Sequence, residues 1–386
     1  GFDQSFPTYL RGSDMKKVVV IGAGIVGSTA AYYLSKSPDV EVTVFDDGKG
    51  QATKAAAGII NPWFSKRRNK AWYRMARLGA DFYQELITEL KEAGIQTDFY
   101  QQTGVYLLKK DESKLQELYD LAANRREESP LIGELSLLSG QEVQEKFPGL
   151  QGFERLLYAS GGARVEGALL TETLLKASKA ELIEKKVSLT VEGEQLLVDG
   201  RSFDCVVLAV GAWLGEILQP LGYETDVHPQ KGQLRDFKLA EKTDDYPVVM
   251  PEGELDIIPF LAGKISVGAS HENDLGFDLT VDKTVLNWLQ QEAETYLPRL
   301  ATAEILGERV GTRAYTSDFS PFFGAVPDLP HVYAASGLGS SGLTTGPLIG
   351  CQLAQMALGE AGLLDSADYP IKRYVEKKAL KENKCF

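Results

Sequence analysis

The chain has 386 residues, 44% of them hydrophobic and 25% charged, and carries a formal net charge of −13. That length exceeds one ordinary core, so about two domains are expected, and no run approaches the roughly 18 consecutive apolar residues of a membrane span. The acidic balance disfavours nucleic acid as a partner, and with no signal-like segment before the first strand the reading is a cytoplasmic protein.

Residues 1–14 show no periodicity and precede Met15, and are read as a leader outside the fold. Residues 18–21 form an apolar strand that runs into a Gly-x-Gly-x-x-Gly turn, Gly22-Ala23-Gly24-Ile25-Val26-Gly27, followed by a helix over 28–34. Glycines at Gly22, Gly24 and Gly27 permit a sharp turn and close approach of backbone to a pyrophosphate, to which the helix offers its unpaired N–H groups. A second strand, 42–45, ends on Asp46, the acid spaced to accept hydrogen bonds from an adenosine ribose. A lone Gly-x-Gly-x-x-Gly reads as an ordinary strand-to-helix turn, but strand, helix and acid together point to a dinucleotide site, which suits NAD as well as FAD.

A polar turn over 47–54 leads into Ala55-Ala56-Ala57-Gly58, where small side chains admit either a planar ring or a tightly packed helix. The basic stretch 66–70 reads as a solvated loop entering a helix whose one side carries Trp72, Met75, Leu78, Phe82, Leu86 and Leu90. Strands over 97–101 and 104–108, a charged helix over 112–126 and a capping box of Ser139 with Glu142 follow, the last opening a helix that stops before Pro148. A second helix-strand unit runs from Glu166 to 187–189 and a hairpin. Residues 205–210 are apolar throughout, as a strand buried on both faces of a parallel sheet requires, and end on Gly211, where a helix begins. The pattern then turns antiparallel, with strands over 228–237, 255–260 and 265–267 and a helix over 283–296. A last buried strand, 331–335, meets the glycine-rich loop 336–342 and a helix over 343–358. Cys205, Cys351 and Cys385 lack metal or redox spacing, and His228, His271 and His331 stand singly, so no metal site is expected.

Taken in order, these segments resemble the D-amino acid oxidase and glycine oxidase family of FAD-dependent amine oxidoreductases over nearly the whole chain after Met15. The Gly22 turn and Asp46 resemble its FAD-binding unit, and residues 52–59 its small-residue segment beneath the flavin. Residues 311–318, continuing to Pro321 and Gly324, resemble the strand bearing its carboxylate-binding arginine, here Arg313. The resemblance implies an α/β fold with a Rossmann-like FAD-binding domain over 15–62, 153–224 and 306–386. Into it an antiparallel-sheet-plus-helices substrate domain, 63–152 and 225–305, is inserted, giving a discontinuous two-domain chain. It assigns Ile25, Val26, Asp46, Asp47, Ala52, Thr53, Ala57, Gly58 and Ile59 to FAD, with Val187 acting through its backbone and Gly211 from the middle strand. Leu338, Gly339, Ser340, Ser341, Gly342, Leu343 and Thr344 match the flavin loop, where a helix N-terminus carrying roughly half a positive charge would face the reduced ring.

Arg313 suits a substrate carboxylate because a planar guanidinium donates two parallel hydrogen bonds; the alternative is a structural salt bridge, with Asp318 the nearest partner in sequence. Glu308 and Arg309 read as surface or interface charges. Three positions depart from the glycine oxidase pattern: Asp256 replaces a tyrosine, His271 a methionine and Ser340 an arginine. Asp256 and His271 read equally as contacts for an amino group or polar side chain and as satisfied polar residues. The implied reaction is hydride transfer from a small amino acid or secondary amine to noncovalently held FAD, with hydrolysis of the imine to an oxo acid. Oxygen or another electron acceptor would complete turnover, and the oligomeric state is open, a homo-oligomer included. The competing readings are an NAD-dependent dehydrogenase and a nucleotide-binding partner in tRNA modification.

Overall fold

The computed structural model describes residues 14–378, so the expected leader, but for Asp14, and Cys385 lie outside the described residues. Lys16–Ile21 pairs in parallel with Val40–Asp46 on one side and Cys205–Leu208 on the other. Those strands lie inside a six-stranded sheet ordered Phe322–Ala325, Val332–Ser336, Cys205–Leu208, Lys16–Ile21, Val40–Asp46, Glu181–Glu184. Strand alternation splits the first strand between two cores. Val18 and Val20 face the helices Ile25–Leu34 and Gly342–Ala357, while Val19 and Ile21 meet Phe45, Leu196 and Leu208. All three valines are 0% exposed, and each such burial contributes about 1.5–3 kcal/mol.

The first helix begins at Ile25, three residues ahead of the expected start. Gly24 is extended and caps it, Ser28 N–H donates to Gly24 O at 2.9 Å, and Thr53 Oγ1 accepts from Ile25 N–H at 3.0 Å. Glycines let this turn close. Gly22 has φ +101°, and a Cβ on Gly27 would stand 1.7 Å from Gly22 O. A Cβ on Gly350 would stand 2.5 Å from Val26 O, so the late helix also rests directly on the first helix.

The second sheet has eight strands, ordered Glu304–Tyr315, His228–Lys238, Lys264–Gly268, Asp256–Pro259, Val248–Met250, Val105–Leu107, Arg155–Ala159, Leu135–Ser139. Arg155–Ala159, and Glu304–Tyr315 from residue 306 on, fall in segments expected to be cofactor domain, 153–224 and 306–386. Both are claimed by pairing: Tyr158 with Tyr106, and Arg313 with Gln230. Lys70–Glu92 crosses the other way. Its Gly79 packs on Thr344 and its Tyr83 Oη donates to Leu343 O at 2.5 Å, so a helix expected in the substrate domain buttresses the late glycine-rich loop. Val187 lies between Glu181–Glu184, a polar edge strand with no alternation to reveal it, and Leu189–Glu192.

Asn69 caps Lys70–Glu92, accepting from Trp72 N–H at 3.0 Å, and Arg67 stacks on Trp72, which gives part of the basic loop a packing role. Cys205 is buried in its strand, where burial pushes the thiol up to about 11. Arg309, expected as a surface or interface charge, is an anchor between strands and the segment at Lys54. Its Nε and Nη2 donate to Asp236 at 2.8 and 2.9 Å, and its Nη1 donates to Lys54 O at 2.8 Å.

Candidate active site

The carboxyl ends of the parallel strands open into a cavity of about 670 Å³ that continues along the second sheet. Ile21, Phe45, Ala209 and Ala335 mark those strand ends, the usual ligand position in a doubly wound sheet. At this end Gly22, Gly24, Ile25 and Val26 border the cavity, whereas Gly27 does not. Gly27 serves the turn through the close approach of its Cα to Gly22 O. Ile25 N–H is held by Thr53 and Ser28 N–H by Gly24 O, while the amides of Val26 and Gly27 in the helix's first turn have no acceptor among the described residues. Asp46 also borders the cavity. Gly48 N–H donates to it at 3.3 Å and Gln51 Nε2 donates to its other oxygen, while burial raises its carboxyl above the usual range.

Asp47, Val187 and Gly211 line the same region, and Gly211 has φ +55° with open space where a Cβ would stand. Ala52, Thr53, Ala57, Gly58 and Ile59 form the middle of the wall. Gly58 has φ +81° and its Cβ would be 2.1 Å from Val165 O, so only glycine permits that approach. Opposite in sequence but adjacent in space, Leu338, Gly339, Ser340, Ser341, Gly342, Leu343 and Thr344 complete the wall, with the helix Gly342–Ala357 beginning there. Ser340 N–H donates to Tyr315 Oη at 3.1 Å.

Arg313, Asp256 and His271 all line the cavity, and the Arg313 charge reaches His271. Arg313 is 7% exposed; its Nη1 donates to Ser270 O at 2.8 Å and to Gln230 Oε1 at 3.2 Å. The proposed Asp318 salt bridge does not form, because that carboxylate accepts from Tyr374 Oη and Thr316 Oγ1. Among the described residues Arg313 has no carboxylate partner, and its Nη2 and Nε make no hydrogen bond. Burial, then the Arg313 cation, lowers His271 to about 4, so its imidazole is neutral at pH 7. Burial alone pushes the Asp256 carboxyl well above the usual range. Its partial exposure is to the cavity it lines, so the loss of bulk water governs its titration.

Several lining polar atoms are buried without a partner: Gln51 Oε1, Asn61 Oδ1, Trp72 Nε1, His271 Nδ1 and Thr312 Oγ1. Buried polar groups are nearly always hydrogen-bonded, so these five leave hydrogen-bonding capacity beside the cavity. The cavity thereby offers free amides and acceptors at a helix N-terminus and small residues along its wall, with a cation that makes no salt bridge among the described residues. That donor set fits a dinucleotide cofactor with a small anionic substrate beyond it. Among the described residues no cluster of His, Cys, Asp or Glu could hold a metal ion. Asn61, Trp72, Met250 and Glu254 also line the site but escaped the sequence reading, since helix and strand periodicity makes them look like core or surface.

A family model for FAD dependent oxidoreductases, abbreviated DAO, matches residues 17–356. The chain belongs to that family. It is 41% identical over 366 residues to an "uncharacterized oxidoreductase YurR" of Bacillus subtilis (strain 168), spanning 92% of this chain and 98% of that protein. It is 30% identical over 371 residues to a glycine oxidase of Pseudomonas aeruginosa, spanning 92% and 98%. The crystal structure of iminodiacetate oxidase (IdaA) from Chelativorans sp. BNC1 superposes with a TM-score of 0.87 at 33% identity, covering 91% of this chain and 98% of that one. The cofactor of this oxidoreductase is FAD, which removes the NAD-dependent reading. No helix among the described residues is long and apolar enough to cross a membrane.

Proposed function

We propose that the chain oxidises a small amine that bears a carboxylate, an amino acid or an N-substituted amino acid, to an imine that hydrolyses to an oxo acid. The observation that carries this reading is Arg313, a buried guanidinium on the cavity wall with two donor nitrogens free and, among the described residues, no carboxylate within salt-bridge distance, the charges of Glu254 and Glu272 acting on it only from farther off. A substrate carboxylate accepting from both nitrogens would supply a directly paired charge and fix the substrate's orientation. Asp256 and the neutral His271 are the groups to hold the amine, since the neutral imidazole keeps one acceptor nitrogen and the carboxyl keeps acceptor capacity in either protonation state.

The residues that would hold the cofactor, without a covalent bond, are Gly22, Gly24, Ile25, Val26, Asp46 and Asp47 at its nucleotide end. Ala52, Thr53, Ala57, Gly58, Ile59, Val187, Gly211 and the loop from Leu338 to Thr344 would hold the remainder. FAD, when bound, supplies the two-electron acceptor for oxidation of the amine-bearing carbon. Oxygen or another acceptor would then regenerate it. The likeness to iminodiacetate oxidase and to glycine oxidase supports including N-carboxymethyl amino acids and glycine among the substrates.

Anaerobic mixing of the holoenzyme with D-amino acids, glycine, N-methyl amino acids, iminodiacetate and proline derivatives tests the reading through bleaching of the flavin band. At least one carboxylate-bearing amine should bleach it. Bleaching confined to amines or alcohols without a carboxylate would overturn it.

A further inference from the structure

The ribbon formed by His228–Lys238 and Glu304–Tyr315 carries no side chain at one register position, where Gly232 opposes Gly311. Two residues along each strand, and so on the same face, Gln230 opposes Arg313. The two glycines answer to different neighbours. A Cβ on Gly311 would lie 2.8 Å from Ala55 Cβ and 3.0 Å from Gln51 O, so this glycine admits the segment that walls the cofactor cavity. A Cβ on Gly232 would lie 2.6 Å from Nη1, 2.7 Å from Cζ and 2.7 Å from Nη2 of Arg313. Three nearly equal distances mean that the guanidinium lies broadside over the backbone of Gly232.

Backbone conformation does not explain this glycine, since Gly232 is absent from the positive-φ residues and sits inside a strand. Glycine inside a strand weakens it, so the missing side chain has another reason, and the space is filled by Arg313. Gln230 fixes the rotation of the group in its plane. Its Nε2 donates to Asn273 Oδ1 at 2.9 Å, which turns Oε1 toward Arg313 Nη1, and Ser270 O takes the second Nη1 proton. Nη1 is thereby used up, and Nη2 and Nε remain for a ligand.

We propose that Gly232 is a positioning residue that sets carboxylate recognition by giving the Arg313 guanidinium its resting surface. This rests on the reading of Arg313 as the carboxylate clamp. Carbon contacts prefer separations of about 3.5–4.0 Å, so a methyl group at 232 must push the guanidinium away by about 1 Å. Displacements of about 1 Å cost on the order of 100-fold in a positioned reaction.

The test is a double-mutant cycle of Gly232→Ala and Arg313→Ala in the holoenzyme. Its readouts are acetate affinity from the perturbed flavin spectrum, KM and kcat for the amine that bleaches the flavin fastest, and the melting temperature. Gly232→Ala should weaken acetate and raise KM at least tenfold with flavin content unchanged. In the Arg313→Ala background the same substitution should change neither by more than twofold, because the methyl then enters vacated space. An unchanged acetate affinity in Gly232→Ala, or equal losses in both backgrounds, overturns the positioning role while the clamp stands. An unchanged affinity in Arg313→Ala alone overturns the clamp itself. If Gly232→Ala yields no folded holoenzyme, the double variant decides: recovery of folding supports the proposal, and failure of both refutes it.

Discussion

Asp236 and Arg309 form a joint between the eight-stranded sheet and the cofactor-side segment, and breaking it should weaken both. Arg309 donates to both Asp236 oxygens, to Ser266 Oγ at 3.0 Å and to Lys54 O, while Ser266 Oγ donates to Asp236 at 2.5 Å. Asp236→Ala strips the guanidinium of two charged acceptors where its side chain is 26% exposed and the aspartate's was 11%. Removing one partner of a buried pair costs about 3–5 kcal/mol, and the partial exposure of Arg309 places the expected loss near the lower end, about 3 kcal/mol. The measurement is urea unfolding of the holoenzyme followed by tryptophan fluorescence, for Asp236→Ala, Arg309→Ala and the double variant. The double variant should be little worse than either single one, because the stranded charge is then gone. A loss below about 0.5 kcal/mol in Asp236→Ala, the range of ordinary surface substitutions, would refute the joint. So would full additivity.

Arg313→Lys should keep the charge and lose the planar fork. Carboxylate affinity should fall by about 10-fold or more, as expected from forfeiting a charge-assisted bond of about 1.5–3 kcal/mol, and flavin titration with acetate reads it. Gly27→Ala forces a methyl against Gly22 O and should cost about 3 kcal/mol or prevent flavin retention, seen in melting and in the absorbance of the purified protein. His271 binds its proton at about pH 4 when folded, against about 6.5 unfolded, so the unfolded chain takes up the proton first as pH falls. Its contribution is therefore full above pH 6.5 and is lost between pH 6.5 and about 4. His271→Gln should flatten that part of the stability profile, and parallel urea curves at pH 7 and 5 should converge relative to the parent.

The dinucleotide half of the protein was legible because local chemistry dictates it. An apolar strand, a turn that only glycine can make, and an acid at the next strand's end occupy one short stretch, and the structure brings Gly22, Gly24 and Asp46 to one cavity. The stripe from Trp72 to Leu90 was legible for the same reason, since a helical period leaves one buried face. Strand ownership was not. Arg155–Ala159 and Glu304–Tyr315 look alike as hydrophobic patterns whichever sheet they join, and distant pairing assigns them. The role of Arg309 was hidden too, because its acceptors Asp236, Ser266 and Lys54 lie far away in sequence.

Sequence alone determined a dinucleotide cofactor and the α/β architecture, because both depend on backbone freedom and side-chain size read over a few neighbours, while the choice of FAD and the residues expected to meet it came with the family resemblance. Tertiary structure decided the partners of Arg313. It left Asp318 with Tyr374, gave Nη1 to Gln230 and Ser270, and laid the guanidinium over Gly232. Those contacts join strands tens of residues apart through sheet register, and register is a property of the whole packed sheet that no single stretch of chain encodes.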